Sequence, residues 1–571
     1  MSITRTKENT FSVGICMAGA VSAGAYTAGV MDYLLEALGE WEKRREQTGV
    51  PTHHVELPII GGASAGGMTA VITAAALRRD LHHVEEPTSP ITADIESNKL
   101  YHSWVDMTGP DMLTQMLDCS DIKSKEVYSA LNSQCIDALA DRAISNDPGD
   151  PVSLPAYLSP DLKIFTTLSN LEGFSFDVKF NSGDSEGAEY YMQLHNDYAC
   201  FQLTDQAISG DNEGWIPLNF DDAQNGNIEL AKKAGMATGA FPVGLKSRKV
   251  VRDPKYINAL DWLKDVTSNT PVEANCQPID GKLTMYESLN IDGGMINNEP
   301  FDRVRDYLDC KTGQDDPKDY ENYDNFKSTI LMIAPFPSTS PEPIDQNQNL
   351  PNVIALTLSA MISQMRARPM HVKNAFDINC AGQYVISPSR KMKKGDADSE
   401  AMVGDKAIAC GAMGGFSGFI NKEFRVHDFF LGRYNCYIFL RDYFTIPASA
   451  LTQNPIFREG YHGINIAQFE SKNPKMKGQY QIIPIFQQMD WPKMKFRSGS
   501  DWPAIPEEDI KSFIPAIGDR AQTMAMNVIE WKWSLKLAAQ LVFSLGGRSW
   551  VGNQVTDYIL KALLQWKLIK G

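Results

Sequence analysis

An apolar segment at residues 55–60 runs directly into Gly61-Gly62-Ala63-Ser64-Ala65-Gly66-Gly67, and an Ala-rich helical pattern follows over residues 68–79. Few local sequences constrain a chain as tightly. Glycines two positions either side of a serine allow a strand-to-helix reversal too sharp for side chains there. Ser64 is then held at strained backbone angles, with its hydroxyl pushed out at the strand's C-terminal end. The following helix aims its first N–H groups and the positive end of its dipole at the same point, where a developing oxyanion can be held. The Gly-x-Ser-x-Gly spacing alone is weak, since about 0.2 chance occurrences are expected in a chain this long. Its plain structural reading is a close-packed turn. The strand before it and the helix after it favour a nucleophile.

The same rhythm occurs upstream. Residues 11–17 read as a buried strand entering a turn. A helix follows with Tyr26, Val30, Leu34, Ala37, Leu38 and Trp41 on one stripe and Glu40, Lys43 and Arg44 opposite. Residues 162–169 and 329–334 read as further core strands. Strand alternating with helix predicts an α/β fold of three layers, α/β/α, with a mostly parallel central sheet and a site at the C-terminal ends of its strands. Insertions are expected near 84–160, with helical patches at 112–117 and 127–138, and near 182–226, with polar loops at 182–187 and 205–226. The acidic stretch 302–325 reads as a solvated surface segment. A Pro-, Ser- and Asn-rich loop at 335–351 leads to a Met- and aromatic-rich remainder. That remainder ends in a helical pattern containing Val555, Ile559, Leu560, Leu563 and Leu564.

Composition narrows the partners. Asp and Glu number 70 against 54 Lys and Arg, a net charge of -16. A surface this acidic repels phosphate backbones, so nucleic acid is excluded as a main partner. The nine cysteines are scattered and form no Cys-x-x-Cys pair, which fits a reducing compartment rather than a disulfide or zinc framework. The first ten residues carry no apolar signal region, and the apolar stretch 534–545 is too short to span a bilayer. A cytoplasmic protein is expected.

An activated serine needs a base. None of the nine histidines lies in a convincing catalytic turn. His371 follows Pro369-Met370 on a basic stretch, His427 precedes Asp428 in an aromatic one, and the pairs His53-His54 and His82-His83 read as turn residues. Asp292 is the better base. It ends an apolar segment and is followed by Gly293-Gly294, so the backbone can approach a site closely while the carboxylate points in. Its structural alternative is an ordinary Asp-Gly turn between strands.

Gly62-Ala63-Ser64-Ala65-Gly66 together with Asp292-Gly293-Gly294 resembles the patatin-like phospholipases. Further stretches match in order. These are Gly24-Ala25-Tyr26-Thr27-Ala28-Gly29-Val30, Leu162-Lys163-Ile164-Phe165-Thr166-Thr167, and Gly235-Met236-Ala237-Thr238-Gly239-Ala240-Phe241-Pro242. Asn298 and Pro300 then match an Asn-x-Pro. The resemblance covers roughly residues 11–340. It implies a catalytic domain over 1–340 and a mainly helical C-terminal extension over 341–571. It also implies a Ser64–Asp292 dyad supported by Gly62, Gly66, Gly293 and Gly294. The family's usual Gly-Gly-Gly-x-Arg-Gly loop reads Gly19-Ala20-Val21-Ser22-Ala23-Gly24 here, a form similar to that of a variant patatin-related subgroup. Backbone N–H groups of Gly19, Ala20, Val21, Ser22 and Ala65 are the oxyanion-hole candidates. A β-branched residue at positive φ is costly, so Val21 is expected at negative φ.

The expected activity is therefore that of a serine acyl hydrolase on phospholipid or other lipid esters, needing no metal or cofactor. An α/β-hydrolase Ser-His-Asp triad, or an inactive lipid-binding or scaffold protein that kept the elbow, are the alternatives. In the C-terminal part, Arg425, Asp428, Arg433 and Asn435 read as a structural network. Met361, Met365, Met370, Trp531, Trp533, Trp550 and Trp566 read mainly as core. Lys561, Lys567 and Lys570 beside Leu563, Leu564 and Leu568 offer a peripheral membrane contact.

Overall fold

A computed structural model describes residues 9–78, 81–87, 98–107, 109, 111–145, 153–178, 190–204, 214–221, 226–260, 277–279, 283–314, 322–337, 353, 356–357, 360, 381–391, 401–486, 502–528, 539–540 and 542–570. The polar loop 182–187, most of 205–226, the run 338–350, and Met361, Met365, Met370, His371, Trp531 and Trp533 lie outside them.

Ten strands form the central sheet among the described residues. They are β1 (Thr10–Met17), β2 (His54–Gly62), β3 (Leu158–Val178), β4 (Tyr190–Leu203), β5 (Ile216–Leu218), β6 (Arg248–Arg252), β7 (Gln277–Ile279), β8 (Leu283–Asp292), β9 (Ser328–Ile333) and β10 (Gln383–Ile386). The row β10-β9-β1-β2-β3 is parallel throughout, as the alternating sequence predicts, while β4 and β8 run antiparallel to β3. Side chains alternate across a strand, and here both faces are covered. Phe11, Val13, Ile15 and Met17 of β1 enter one apolar core, while Cys16 and then Ala18 enter the other. The three-layer α/β/α expectation holds.

The long strand β3 positions the rest. Its residue Thr166 lies opposite Gly62 at the end of β2. Two residues further, Leu168 lies opposite Asp292 at the end of β8. Strand β2 runs with β3 and β8 runs against it, so the C-terminal ends of β2 and β8 meet head to head beside one short stretch of β3. Two residues of strand span only about 7 Å.

One face carries α1 (Gly24–Glu42), α2 (Ala65–Ala76), α3 (Gln134–Ala143) and α4 (Gly226–Thr238), and the other carries α5 (Phe301–Thr312). Two expectations shift. The helical patch 127–138 is irregular up to Ser133 and helical only from α3, because the Asn132 side chain accepts the Gln134 N–H (2.9 Å) and competes with an earlier helical start. The acidic stretch begins not as a solvated segment but as α5, whose Phe301, Val304 and Leu308 are buried against the sheet.

The C-terminal part shares this core. β10 adds to the sheet beside β9, and α6 (Lys422–Asp442) lies along α1. The helices touch backbone to backbone, since a Cβ at Gly29 would overlap the Phe429 carbonyl and one at Gly432 that of Tyr26. Arg433 of α6 is buried and pairs with Asp32 and Glu36 of α1. Arg425 donates to the carbonyls of Val105, Gly109 and Gly418, and Asp428 accepts the N–H groups of Ala409 and Cys410. These residues are structural. Beyond α7 (Ile514–Val528), the final helix α8 (Arg548–Gln565) buries Ile559, Leu560 and Leu563 but leaves Val555 and Leu564 exposed.

His53 is not a turn residue. It is buried among the rings of Trp41, Phe457 and Tyr461, and its Nε2–H donates to the Ile482 carbonyl (2.9 Å). Burial pushes its pKa down to about 3.

Two stability measurements check this packing. Gly432→Ala is expected to lose about 1–3 kcal/mol and to lower the urea midpoint, because the helices must separate. Gly226→Ala, which has open space around it, serves as the control. In the unfolded chain His53 takes up a proton below about pH 6.5, which the folded chain resists until about pH 3. The unfolded state therefore binds more protons within that window, and the His53 contribution, complete above pH 6.5, is lost as pH falls through it. By pH 4.5 that amounts to about 2–3 kcal/mol. Urea midpoints between pH 7 and 4.5 should consequently fall less in His53→Asn than in the wild type; equal falls would refute the burial argument.

Candidate active site

Ser64 stands between β2 and α2 as the N-cap of that helix, at φ 50° and ψ -125°. A non-glycine residue there is strained by about 1–3 kcal/mol, and the surrounding structure must enforce it. Met17 at the end of β1 does so. A Cβ at either Gly62 or Gly66 would overlap the Met17 carbonyl, so these glycines let the elbow close over the neighbouring strand. The Ser64 N–H donates to Thr238 Oγ1 of α4 (2.9 Å).

Asp292 ends β8 and is held on every side. Its N–H donates to the Ala240 carbonyl (2.9 Å), and its carbonyl accepts from Ser169 Oγ (2.8 Å). Oδ1 accepts the Gly294 N–H (2.8 Å), while Oδ2 accepts from Ser64 Oγ at 2.7 Å. Gly293 passes so close to Thr167 that a Cβ would strike its carbonyl. Ser64 is 6% exposed and Asp292 4%. The two predicted side chains, 228 residues apart, thus share one proton-bearing contact.

The loop at 19–24 folds over this pair. Gly19 lies against the serine, where a Cβ would crowd Ser64 Cβ and Asn298 Oδ1. The N–H groups of Gly19, Ala20, Val21 and Ala65 donate to no other group among the described residues, and all four residues line the space around Ser64. Val21 corrects the expectation of negative φ, since it stands at φ 49°. Tertiary contacts outweigh the cost of about 1–2 kcal/mol. Gly415, itself at φ 101°, leaves room for the Val21 side chain, and the buried Ser22 hydroxyl donates to the Gly415 carbonyl while accepting the Gly418 N–H (3.0 Å). Ser22 therefore anchors the loop to the C-terminal part and lines neither cavity at the serine.

Two cavities meet at Ser64 and Asp292. The inner one is walled mainly by apolar side chains, including Met68, Ile72, Trp104, Met107, Leu139 and Phe241. The outer one is more polar and takes part of its wall from Tyr558, Gln565 and Trp566 of the C-terminal end. Sequence reading placed none of these residues at the site; Trp566, read mainly as core, packs against the core and also lines the outer cavity. Met68 and Ile72 follow Ser64 at helical spacing on α2 and Phe241 lies in a matching stretch, but the others come from elements that share no spacing with the motif. Thr238 lay within a matching stretch, yet nothing in its spacing signalled a bond to the serine backbone.

Among the described residues no histidine lines either cavity. His102 bonds Asp106 (2.5 Å), His195 the Asn170 carbonyl (2.8 Å) and His427 Asp428 (2.7 Å). His83 reaches Asp32 (3.1 Å).

No protein-family model matches the chain. The chain is 28% identical over 610 aligned residues to a protein of Sinorhizobium fredii (strain NBRC 101917 / NGR234) named "Uncharacterized protein y4iI", the match covering 99% of this chain and 82% of that one. Among the described residues no helix is long and apolar enough to cross a membrane.

The Thr238 bond is testable. Thr238→Val leaves a buried N–H without its partner at the strained residue and is expected to cost about 1–3 kcal/mol in urea unfolding. Thr238→Ser, which keeps the acceptor, should retain most of the stability. A valine variant as stable as the wild type would show that the bond does not hold the elbow.

Proposed function

We propose that this chain is a serine acyl hydrolase of lipid carboxylic esters, with Ser64 as nucleophile and Asp292 as general base and acid. The observation that carries the reading is the 2.7 Å hydrogen bond from Ser64 Oγ to Asp292 Oδ2 at the junction of an apolar and a polar cavity. As Ser64 Oγ attacks the ester carbonyl, its proton passes to Asp292. The carbonyl oxygen becomes an oxyanion, and the N–H groups of Gly19, Ala20, Val21 and Ala65, which donate to no other group among the described residues, are available to it. Asp292 returns the proton to the departing alcohol, leaving an acyl-enzyme. Water then repeats the steps, with Asp292 taking its proton, to release the carboxylic acid.

The inner cavity supports an acyl chain as the bound group, because its walls offer almost nothing but hydrocarbon and sulfur. The separate engagement of His83, His102, His195 and His427 favours the dyad over a histidine triad. Tyr558 borders the outer cavity while 67% exposed, and Leu564 lies exposed on the same helix, so a lipid aggregate could rest beside the entrance without insertion of a helix.

Ester hydrolysis and labelling by a fluorophosphonate probe test the proposal together. Wild-type protein should release fatty acid and become labelled. Ser64→Ala should abolish labelling and lower kcat by at least about 10³-fold, and Asp292→Asn should lower it comparably. An unlabelled wild-type protein without esterase activity would leave the inactive lipid-binding reading in its place.

A further inference from the structure

The two cavities differ in charge as well as in polarity. We infer that the outer one is a leaving-group chamber for uncharged or cationic alcohols that disfavours a phosphate-bearing one, with Asp405 setting the selectivity. This rests on the reading of Ser64 and Asp292 as an acyl-transfer dyad and narrows its substrate to esters without phosphate.

The inner cavity can take the hydrocarbon part of an ester, which leaves the alcohol part to the other side of the scissile bond. There the chamber's charged lining residues among those described are Asp292 and Asp405, and no lysine, arginine or histidine joins them. Asp405 is half-buried. Its Oδ1 accepts its neighbour Lys406's backbone N–H (2.8 Å), and among the described residues no ion pair neutralises it. The remaining polar walls are neutral: Asn298, Tyr558, Gln565 and the Trp566 indole. These groups can exchange hydrogen bonds with hydroxyls.

A phosphate in this chamber would meet fixed negative charge and, among the described residues, no compensating cation. Like charges separated by about 7 Å, partly shielded from water, discriminate by at least about tenfold. The discrimination persists through the reaction. When Asp292 takes the serine proton it becomes neutral, but Asp405 stays outside the proton transfer and keeps its charge. A glycerol hydroxyl or a quaternary ammonium group meets no such penalty, and a cation is attracted.

Three octanoyl esters that differ only in their alcohol provide the test: 1-octanoylglycerol, octanoylcholine and 1-octanoylglycerol 3-phosphate. All three are used below the concentrations at which they form micelles, so interfacial binding does not enter. Octanoate release by the full chain gives kcat/KM for each. The glycerol and choline esters are expected to exceed the phosphate ester by at least about tenfold in the wild type. Asp405→Asn keeps the acceptor for the Lys406 N–H and should narrow that ratio severalfold, Asp405→Lys should reverse it, and added salt should narrow it in the wild type. Each ratio is taken within one protein preparation, so a partly folded variant does not distort it. Equal rates for the glycerol and phosphate esters in the wild type, or a ratio unchanged in both variants, would overturn the inference while leaving the dyad standing. Absence of hydrolysis of all three, with no fluorophosphonate labelling, would instead remove the dyad reading and the inference with it.

Discussion

The registration of β3 against β2 and β8 is the constraint on which the site depends. Thr166 is paired to Gly62 and Leu168 to Asp292, so a ladder of backbone hydrogen bonds sets the separation of serine and aspartate. Side chains only complete it. A strand pairing is specified along its whole length, and slipping by one residue would turn every side chain to the opposite face of a sheet covered on both. The 2.7 Å contact therefore inherits the stability of the sheet.

Much of this was legible along the chain because it is local. The β2–elbow–α2 unit carries its signal in seven consecutive residues, and buried parallel strands such as β1 and β9 read as short, predominantly apolar runs. Asp292 was found for a similar reason, since two glycines after an apolar run mark a close approach of backbone. What escaped was set by distant partners. Val21 adopts the conformation its side chain resists, because Ser22 and Gly415 clasp the loop from almost 400 residues away. His53 sits where a turn was expected because its ring fills a cluster built from Trp41, Phe457 and Tyr461. The charged composition of 302–312 concealed an amphipathic helix, since the long buried stems of Arg305 and Lys311 accompany Val304 and Leu308.

The part of the chain beyond residue 340 is built into the same body as the elbow. It supplies a strand to the sheet, a helix in backbone contact with α1, the clasp on the 19–24 loop and a wall of the outer cavity. The inner cavity, by contrast, is bordered mainly by residues from the first half, with Phe419 as an exception. The apolar and the more polar side of the site are thus furnished largely by different stretches of one polypeptide.

The attachment of Ser22 to Gly415 and Gly418 has a consequence for how the molecule would fail. Loosening of residues 409–419 would slacken the 19–24 loop first, while the sheet kept its serine and aspartate paired. Such a species would pass as native by most spectroscopic criteria and still retain a reactive-looking hydroxyl. It would have lost the fixed row of N–H groups beside the serine, so on gentle heating this corner can loosen before any collapse of the architecture.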